Sequence, residues 1–513
     1  MPECGRIGPV RRRSELATAQ QFSEIRSIVT PGNHERPGGC RDGPTPEPPT
    51  DANRPRRPKG SGYPEPMRSR IRRCFLAAFV VVASTLPVGV HSAAEPPLRP
   101  TGSALDAGFL WGVASSGFQS EGHAPDSNWT RYIAGSPGYD QPGDSADFTD
   151  RYASDIRLAA DMGVRVFRVG IEWARLQPAP GVWDDNAFRF YDSVVDTIVR
   201  SGMRPMITLD HWVYPGWAAD RGGWRGDGMV DDWLTNMRAV VDRYAARDPL
   251  WITVNEPAAY IQHEIRKGAA DGTAMQERLV QAHNAIYDHI HRVQPGAQVT
   301  ANVGYVAGSE DRVNGAFADR IADRLDYVGV DYYFAFDPAQ SLLGDIGKAT
   351  GSAMPELPGS RIWEMPLRTE GIYYALQHYS RRFPGKPLYV VENGMPTENG
   401  IPRADGYTRS DHLRDTVYWI QRAKADGMNV LGYNYWSLTD NYEWGSYTPR
   451  FGLYSVDVRT DPALTRRPTD AVGTYTQLIA ANGVPADYRP TRAPALCVLV
   501  DPPNSCLNPV AGR

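Results

Sequence analysis

Only five of the 513 residues are cysteine, and three of them, Cys4, Cys40 and Cys74, fall within the first 94 residues. No cysteine and histidine cluster has metal-ligand spacing, so neither a structural nor a catalytic metal is expected. No glycine-rich phosphate turn follows the first expected strand, which argues against an open dinucleotide-binding sheet and against an organic cofactor of that kind. The apolar run from Phe75 to Val90 is broken by Ser84, Thr85 and Pro87. It is short for a membrane-spanning helix, which needs about 20 residues. Positive charge is also scarce. Residues 1–94 carry 15 Lys and Arg against 8 Asp and Glu, leaving 40 against 51, or −11, for residues 95–513. That acidic remainder argues against nucleic acid or an anionic membrane as partner.

The first 94 residues have a plan of their own. Residues 1–66 are rich in Pro, Arg, Gly and Ser with no periodic apolar face, and read as a disordered leader. A basic patch follows from Met67 to Arg73, then the apolar run, then the small residues Ser92, Ala93 and Ala94. This is the order of a secretory signal peptide, residues 67–94. It implies a secreted, periplasmic or cell-envelope protein with no stable membrane association after cleavage. An uncleaved anchor is the alternative. A signal beginning at Met67 further implies that translation starts there. In an oxidising compartment Cys497 and Cys506 could close one short disulfide loop in the tail, residues 486–513.

Aromatic residues are plentiful: 13 Trp, 26 Tyr and 14 Phe. Two stretches organise the remainder. Trp251-Ile252-Thr253-Val254-Asn255-Glu256-Pro257 reads as a covered strand stopped by proline. Leu388-Tyr389-Val390-Val391-Glu392-Asn393-Gly394 is a second apolar strand ending in glutamate and a turn. A lone glutamate is ordinarily a solvated side chain. Two that each terminate an apolar run point instead to a site.

From about residue 105, apolar runs alternate with amphipathic stretches, the pattern of a parallel α/β fold. Strands are expected at 108–114, 164–171, 205–210, 249–255, 298–304, 325–332, 387–392 and 429–437. Helices are expected at 150–162, 186–202, 229–246, 273–293, 370–382 and 411–427, with a closing helix near 467–481. Thr149 and Ser410 stand where N-caps are wanted. Eight units give a (β/α)8 TIM barrel, a single catalytic domain over residues 95–485. In such a barrel the C-terminal strand ends carry the chemistry. Those ends offer Gln119, Arg168, His211, Asp331, Tyr333, Trp436, Glu443 and Trp444. Taken singly, Arg168 could be an ordinary ion-pair partner, His211 a core histidine and Trp436 core.

At these residues the chain resembles glycoside hydrolase family 1, the β-glucosidase and β-galactosidase family. The motifs are Thr-x-Asn-Glu-Pro at 253–257, Glu-Asn-Gly at 392–394 and Asp-Asn-x-Glu-Trp at 440–444, within a resemblance covering roughly residues 105–480. The resemblance implies Glu256 as acid/base and Glu392 as nucleophile, with Arg168 and Tyr333 contacting the nucleophile. It implies that Gln119, His211, Asn255, Trp436, Glu443 and Trp444 hold the non-reducing sugar, and that Trp363 is a platform for the leaving group. The implied substrate is a small-molecule or oligosaccharide β-glycoside with a terminal glucosyl, galactosyl or fucosyl residue, with no cofactor and no metal. A carboxylate at Glu443 would repel a 6-phosphate.

The chain also departs from that family. Asp331 stands where the family usually has Asn, Glu172 is an extra acid, and the stretch from Glu256 to Glu392 is shortened around 294–324. The loop after Trp444 is one residue short before Phe451. A charge at Asp331 would compete with the balance between Glu256 and Glu392 or bind a different sugar hydroxyl; the changes together leave the two glutamates intact and bear on the substrate. Three other readings use the same barrel: a transglycosylase, an endo-glycanase, and a sugar-binding protein without turnover.

Overall fold

Eight short runs of β-branched and aromatic residues close on themselves. In the computed structural model these strands are β1 Leu110–Ala114, β2 Val166–Gly170, β3 Arg204–Asp210, β4 Leu250–Asn255, β5 Gln298–Gly304, β6 Val328–Asp331, β7 Leu388–Asn393 and β8 Val430–Trp436. Each pairs in parallel with the next, and β8 returns to β1 through Leu110–Gly432 to Ala114–Trp436. The chain therefore folds as a (β/α)8 barrel. The structure describes residues 105–307, 309–334 and 361–494. Contacts divide the chain into Met1–Val90 and His91–Arg513, and every described residue belongs to the second unit. The expected leader and signal segment, residues 1–94, and the Cys497 and Cys506 pair lie outside the described residues.

The main helices are α1 Phe148–Asp161, α2 Asp185–Arg200, α3 Met229–Tyr244, α4 Pro257–Arg266, α5 Gly272–Val293, α6 Ala316–Ile321, α7 Gly371–Arg382, α8 Arg409–Ala425 and α9 Asp470–Ala481. The shortened region around 294–324 holds β5 and then a π-helical segment, Asp311–Gly315, that runs into the six residues of α6 and a closing 3-10 turn, Ala322–Arg324. Two expected caps are corrected. Asp147, not Thr149, precedes α1, and Thr149 Oγ1 donates instead to the Glu121 carbonyl at 2.9 Å. Thr408, not Ser410, caps α8, where its side chain and that of Asp411 satisfy each other's backbone N–H. Thr408 has the extended backbone that an N-cap requires, whereas Asp147 sits in the left-handed region and makes no side-chain cap bond. Pro257 does end β4, but it then opens α4 at the first helical position, where a missing N–H costs nothing.

Alternation along the strands separates two cores. On β2, Phe167 and Val169 face the helices while Val166 faces inward with Met206, Leu250, Ile252, Tyr389 and Val391. This inner cluster floors the barrel, and Arg168 is the next inward residue above it. On β7 the same alternation from Tyr389 and Val391 would turn Glu392 outward. Register slips between Val390 and Asn393, and between Val330 and Asp331, return it to the interior. A similar slip between Ile252 and Asn255 re-aims the end of β4. Bulges of this kind re-aim side chains at barrel rims.

Candidate active site

The C-terminal ends of the strands surround a cavity of about 180 Å³. Its wall includes both strand-end glutamates, Glu256 and Glu392, together with Asp331 and Tyr333. Gln119, His211, Trp436, Glu443 and Trp444 form one side of it. Arg168 and Asn255 are fully buried just behind the wall. Three lining residues, Trp212, Glu256 and Trp444, have positive φ of 72°, 39° and 48°. Bulky residues rarely adopt that region, and such strain concentrates at functional sites.

The environments of the two glutamates differ. Glu392 accepts a hydrogen bond from Arg168 Nη1 on one oxygen and from the Tyr333 hydroxyl on the other, the latter at 2.9 Å. Arg168 is itself fixed: Nη2 donates to Asn255 Oδ1 at 2.6 Å and Nε to Thr208 Oγ1 at 2.9 Å. Both Glu392 oxygens are thus held in place by donors. Breaking a buried pair of this kind by removing one partner costs about 3–5 kcal/mol. Glu256 is half-buried at the N-terminus of α4, and no side-chain donor among the described residues reaches it. Desolvation, and then the nearby charge of Glu392, push it up to about 8, against a smaller opposing pull from Arg168. Two side-chain donors are committed to Glu392, and Glu256 has none among the described residues and is raised toward the protonated form.

The opposite wall is aromatic and amide-bearing. The His211 ring stacks between Trp436 and Trp444, with centroids 5.9 and 5.7 Å away. Burial, and behind it the charge of Arg168, hold His211 well below its usual range, so the ring is neutral. Asn255 Oδ1 takes two donors, from Arg168 and from Asn302 at 2.7 Å. Its amide N–H therefore faces His211 Nε2 at 3.2 Å, and the imidazole proton sits on Nδ1, which has no partner among the described residues. Glu443 accepts from Gln119 Nε2 at 3.2 Å and Trp436 Nε1 at 3.3 Å. Ser116 Oγ holds the other end of the Gln119 amide at 2.7 Å.

One expectation is corrected. Trp363 does not line the cavity. It lies in the 3-10 turn Ile362–Glu364, where three residues per turn put Ile362 and Met365 on one face, and those two line the wall instead. Glu172 also lies off the wall: its Oε1 accepts the Phe118 N–H at 3.0 Å and so holds the segment that carries Gln119. Asp210 turns back to accept from Trp233 Nε1 and Trp212 N–H, both at 2.9 Å.

Sequence reasoning missed Asn302. It pairs in register with Asn255 across β4 and β5, and its amide donates to both Asn255 and Asp331. The signal was available: an amide near the end of the fifth strand, level with one already chosen on the fourth. It also missed the apolar stretch Val306, Ala307 and Phe334, which lines the cavity after β5 and β6. Among the described residues no His, Cys, Asp and Glu group could hold a metal ion.

The chain is similar to known proteins. A family model described as glycosyl hydrolase family 1 matches residues 102–310 and 273–484. Beta-glucosidase A of Thermotoga maritima is 25% identical over 448 residues, covering 74% of this chain and 98% of that protein. Beta-glucosidase 40 of Arabidopsis thaliana is 25% identical, covering 72% of this chain and 92% of its own length. A chloroplastic galactolipid galactosyltransferase of Arabidopsis thaliana is 28% identical over 61% of this chain and 55% of its own. Among solved structures, the Thermotoga maritima beta-glucosidase in complex with deoxynojirimycin matches with a TM-score of 0.63 at 23% identity, over 74% of this chain and 100% of that one. At that identity the likeness speaks to the fold.

Proposed function

The chain belongs to glycosyl hydrolase family 1 and is an O-glycosyl hydrolase; from that premise we propose a retaining exo-β-glycosidase with Glu256 as acid/base and Glu392 as nucleophile. The observation that carries the reading is the opposed setting of the two carboxyls in one cavity. A pair of acids whose surroundings push them apart is what assigns donor and attacker. Glu256 gives its proton to the leaving oxygen as Glu392 attacks the anomeric carbon and the glycosidic bond breaks. The ester bond removes the negative charge of Glu392, so Glu256 becomes easier to ionise. It then takes a proton from water, whose oxygen attacks the same carbon and releases Glu392.

The sugar is proposed to lie against Trp436 and Trp444. Gln119 and Glu443 would bind hydroxyls far from the reacting carbon, and the His211 Nδ1–H would donate to another. Asn255 would act chiefly by holding Arg168 and His211. The leaving group would meet Ala259, Val306, Ala307, Phe334, Ile362 and Met365, an apolar wall on the β4 to β6 side. That wall favours an aryl or alkyl aglycone over a second polar sugar, because burying unpaired hydroxyls is costly.

Release of nitrophenol from aryl β-glucosides and β-galactosides, with Glu392→Ala as control, tests the reading. Turnover by the wild type and none by the variant is expected; no release from any aryl β-hexoside would sink it. A second reading is transfer of the glycosyl group to an alcohol acceptor. The apolar wall and the likeness to a galactosyltransferase favour it, and a product analysis with added long-chain alcohol would separate it from hydrolysis. Export from the cell through the segment at 67–94 is also proposed. N-terminal sequencing of the secreted protein tests it, with a mature end near Ala94 expected.

A further inference from the structure

Four carboxyls line the cavity, Glu256, Glu392, Asp331 and Glu443; the first three act on one another, and Arg168 is the cation that acts on Asp331 with them. The supply of donors is uneven. Glu392 takes Arg168 and Tyr333. Asp331 takes a single amide hydrogen, from Asn302, on Oδ2. The other hydrogen of that amide goes to Asn255, so Asn302 has none left. Among the described residues, Asp331 Oδ1 is buried without a partner. An ionised carboxylate offers about four acceptor positions, and a buried one with a single donor is unstable. A carboxylic acid in the same place has one oxygen to accept the Asn302 hydrogen and one O–H to give.

We propose that Asp331 works as an uncharged carboxylic acid whose O–H donates a hydrogen bond to a substrate oxygen in the cavity. The inference rests on the glycosidase reading above and names one contact within it. Its position suits the role. β6 stands on the arc of strands between β4, which carries Glu256, and β7, which carries Glu392. Asp331 pairs directly with Glu392 in the register of β6 and β7. The groups facing it are Glu392, Glu256, Arg168, Tyr333 and Asn302. Burial first, and then the charges of Glu392 and Glu256, raise its carboxyl well above the usual range, while Arg168 and Asn302 pull less strongly the other way. A third negative charge here would oppose ionisation of Glu256 in the second half of the reaction. A neutral acid leaves that step free and still supplies a donor.

The test compares Asp331→Asn and Asp331→Ala with the full-length wild type on an aryl β-glycoside. The amide keeps a donor and stays neutral. Asp331→Asn is expected to hold kcat/KM within about threefold, with the alkaline limb of its pH profile unmoved, whereas Asp331→Ala should lose about tenfold or more. If Asp331 were an anion, removing its charge would ease ionisation of Glu256 and move that limb down by about one pH unit. That downward shift, or full activity in the alanine variant, would overturn the proposal. Infrared difference spectra of wild type against Asp331→Asn at neutral pH give a readout that needs no turnover. A protonated-carboxyl band lost in the variant is expected, and its absence from the wild type also overturns the proposal. A wild type that shows the band but turns over no glycoside would fault the glycosidase reading alone.

Discussion

A Cβ on Gly304 would lie 2.3 Å from Glu256 Oε1. The end of β5 is thus left bare so that the carboxyl of Glu256 can lie against its backbone. The obstacle to a larger residue is the tip of a flexible side chain, which can swing aside. Gly304→Ala should therefore fold with nearly unchanged Tm. It should still lose about 10- to 100-fold in kcat, since a displacement near 1 Å costs on that order. Thermal unfolding and steady-state kinetics on the same preparation check both halves.

The titration of Glu256 has a definite sign. Its carboxyl is pushed up to about 8 by burial and by the charge of Glu392. The proton is needed for the first step, so kcat/KM should fall as pH rises through about 8. Neutralising the neighbour removes one of the two causes. In Glu392→Gln, the Glu256 carboxyl followed by ¹³C NMR should titrate lower than in the wild type. An unchanged titration would mean that the two groups do not feel each other.

The apolar wall makes a prediction about chain length. Each buried methylene contributes about 0.8 kcal/mol. Across a series of n-alkyl β-glucosides, kcat/KM should rise roughly threefold to fourfold per added carbon until the wall formed by Val306, Phe334, Ile362 and Met365 is covered. A flat series would place the aglycone elsewhere.

Glu310 ties that wall to α7 and sets a pH dependence of stability. Its carboxyl accepts the Val306 N–H at 2.7 Å, the Asn314 amide at 3.0 Å and the Tyr379 hydroxyl. Burial nevertheless pushes it up to about 7. An unfolded glutamate titrates near ~4.3. The folded state therefore binds the extra proton between those values, and stability from this group is full below the lower one and lost as pH rises through the upper. Wild-type stability should decline across that window, and Glu310→Gln should flatten the decline by on the order of 2–3 kcal/mol. Urea titrations at pH 5 and pH 8 measure it.

Much of this was legible in the sequence. The eight strands stand within three residues of their expected starts, because buried parallel strands read as unbroken apolar runs. The clustering of Glu256, Glu392, Arg168 and Tyr333 was readable because strand ends on one barrel converge. Glu392 faces inward through bulges, though, and no alternation rule foretells those. Trp363 was misplaced because a 3-10 turn, not a helix or strand, sets its direction. Asn302 was overlooked because a single amide in a strand carries no local signal; its meaning comes from its register opposite Asn255.

The division of labour between the two glutamates is tested most directly by trapping the intermediate. A 2-deoxy-2-fluoro β-glycoside with a good leaving group slows the second step and lets the glycosyl-enzyme accumulate. Peptide mapping by mass spectrometry should find one sugar, attached to the peptide bearing Glu392 and to its side-chain carboxyl. A sugar on Glu256, or turnover with inverted product and no covalent adduct, would contradict the assignment.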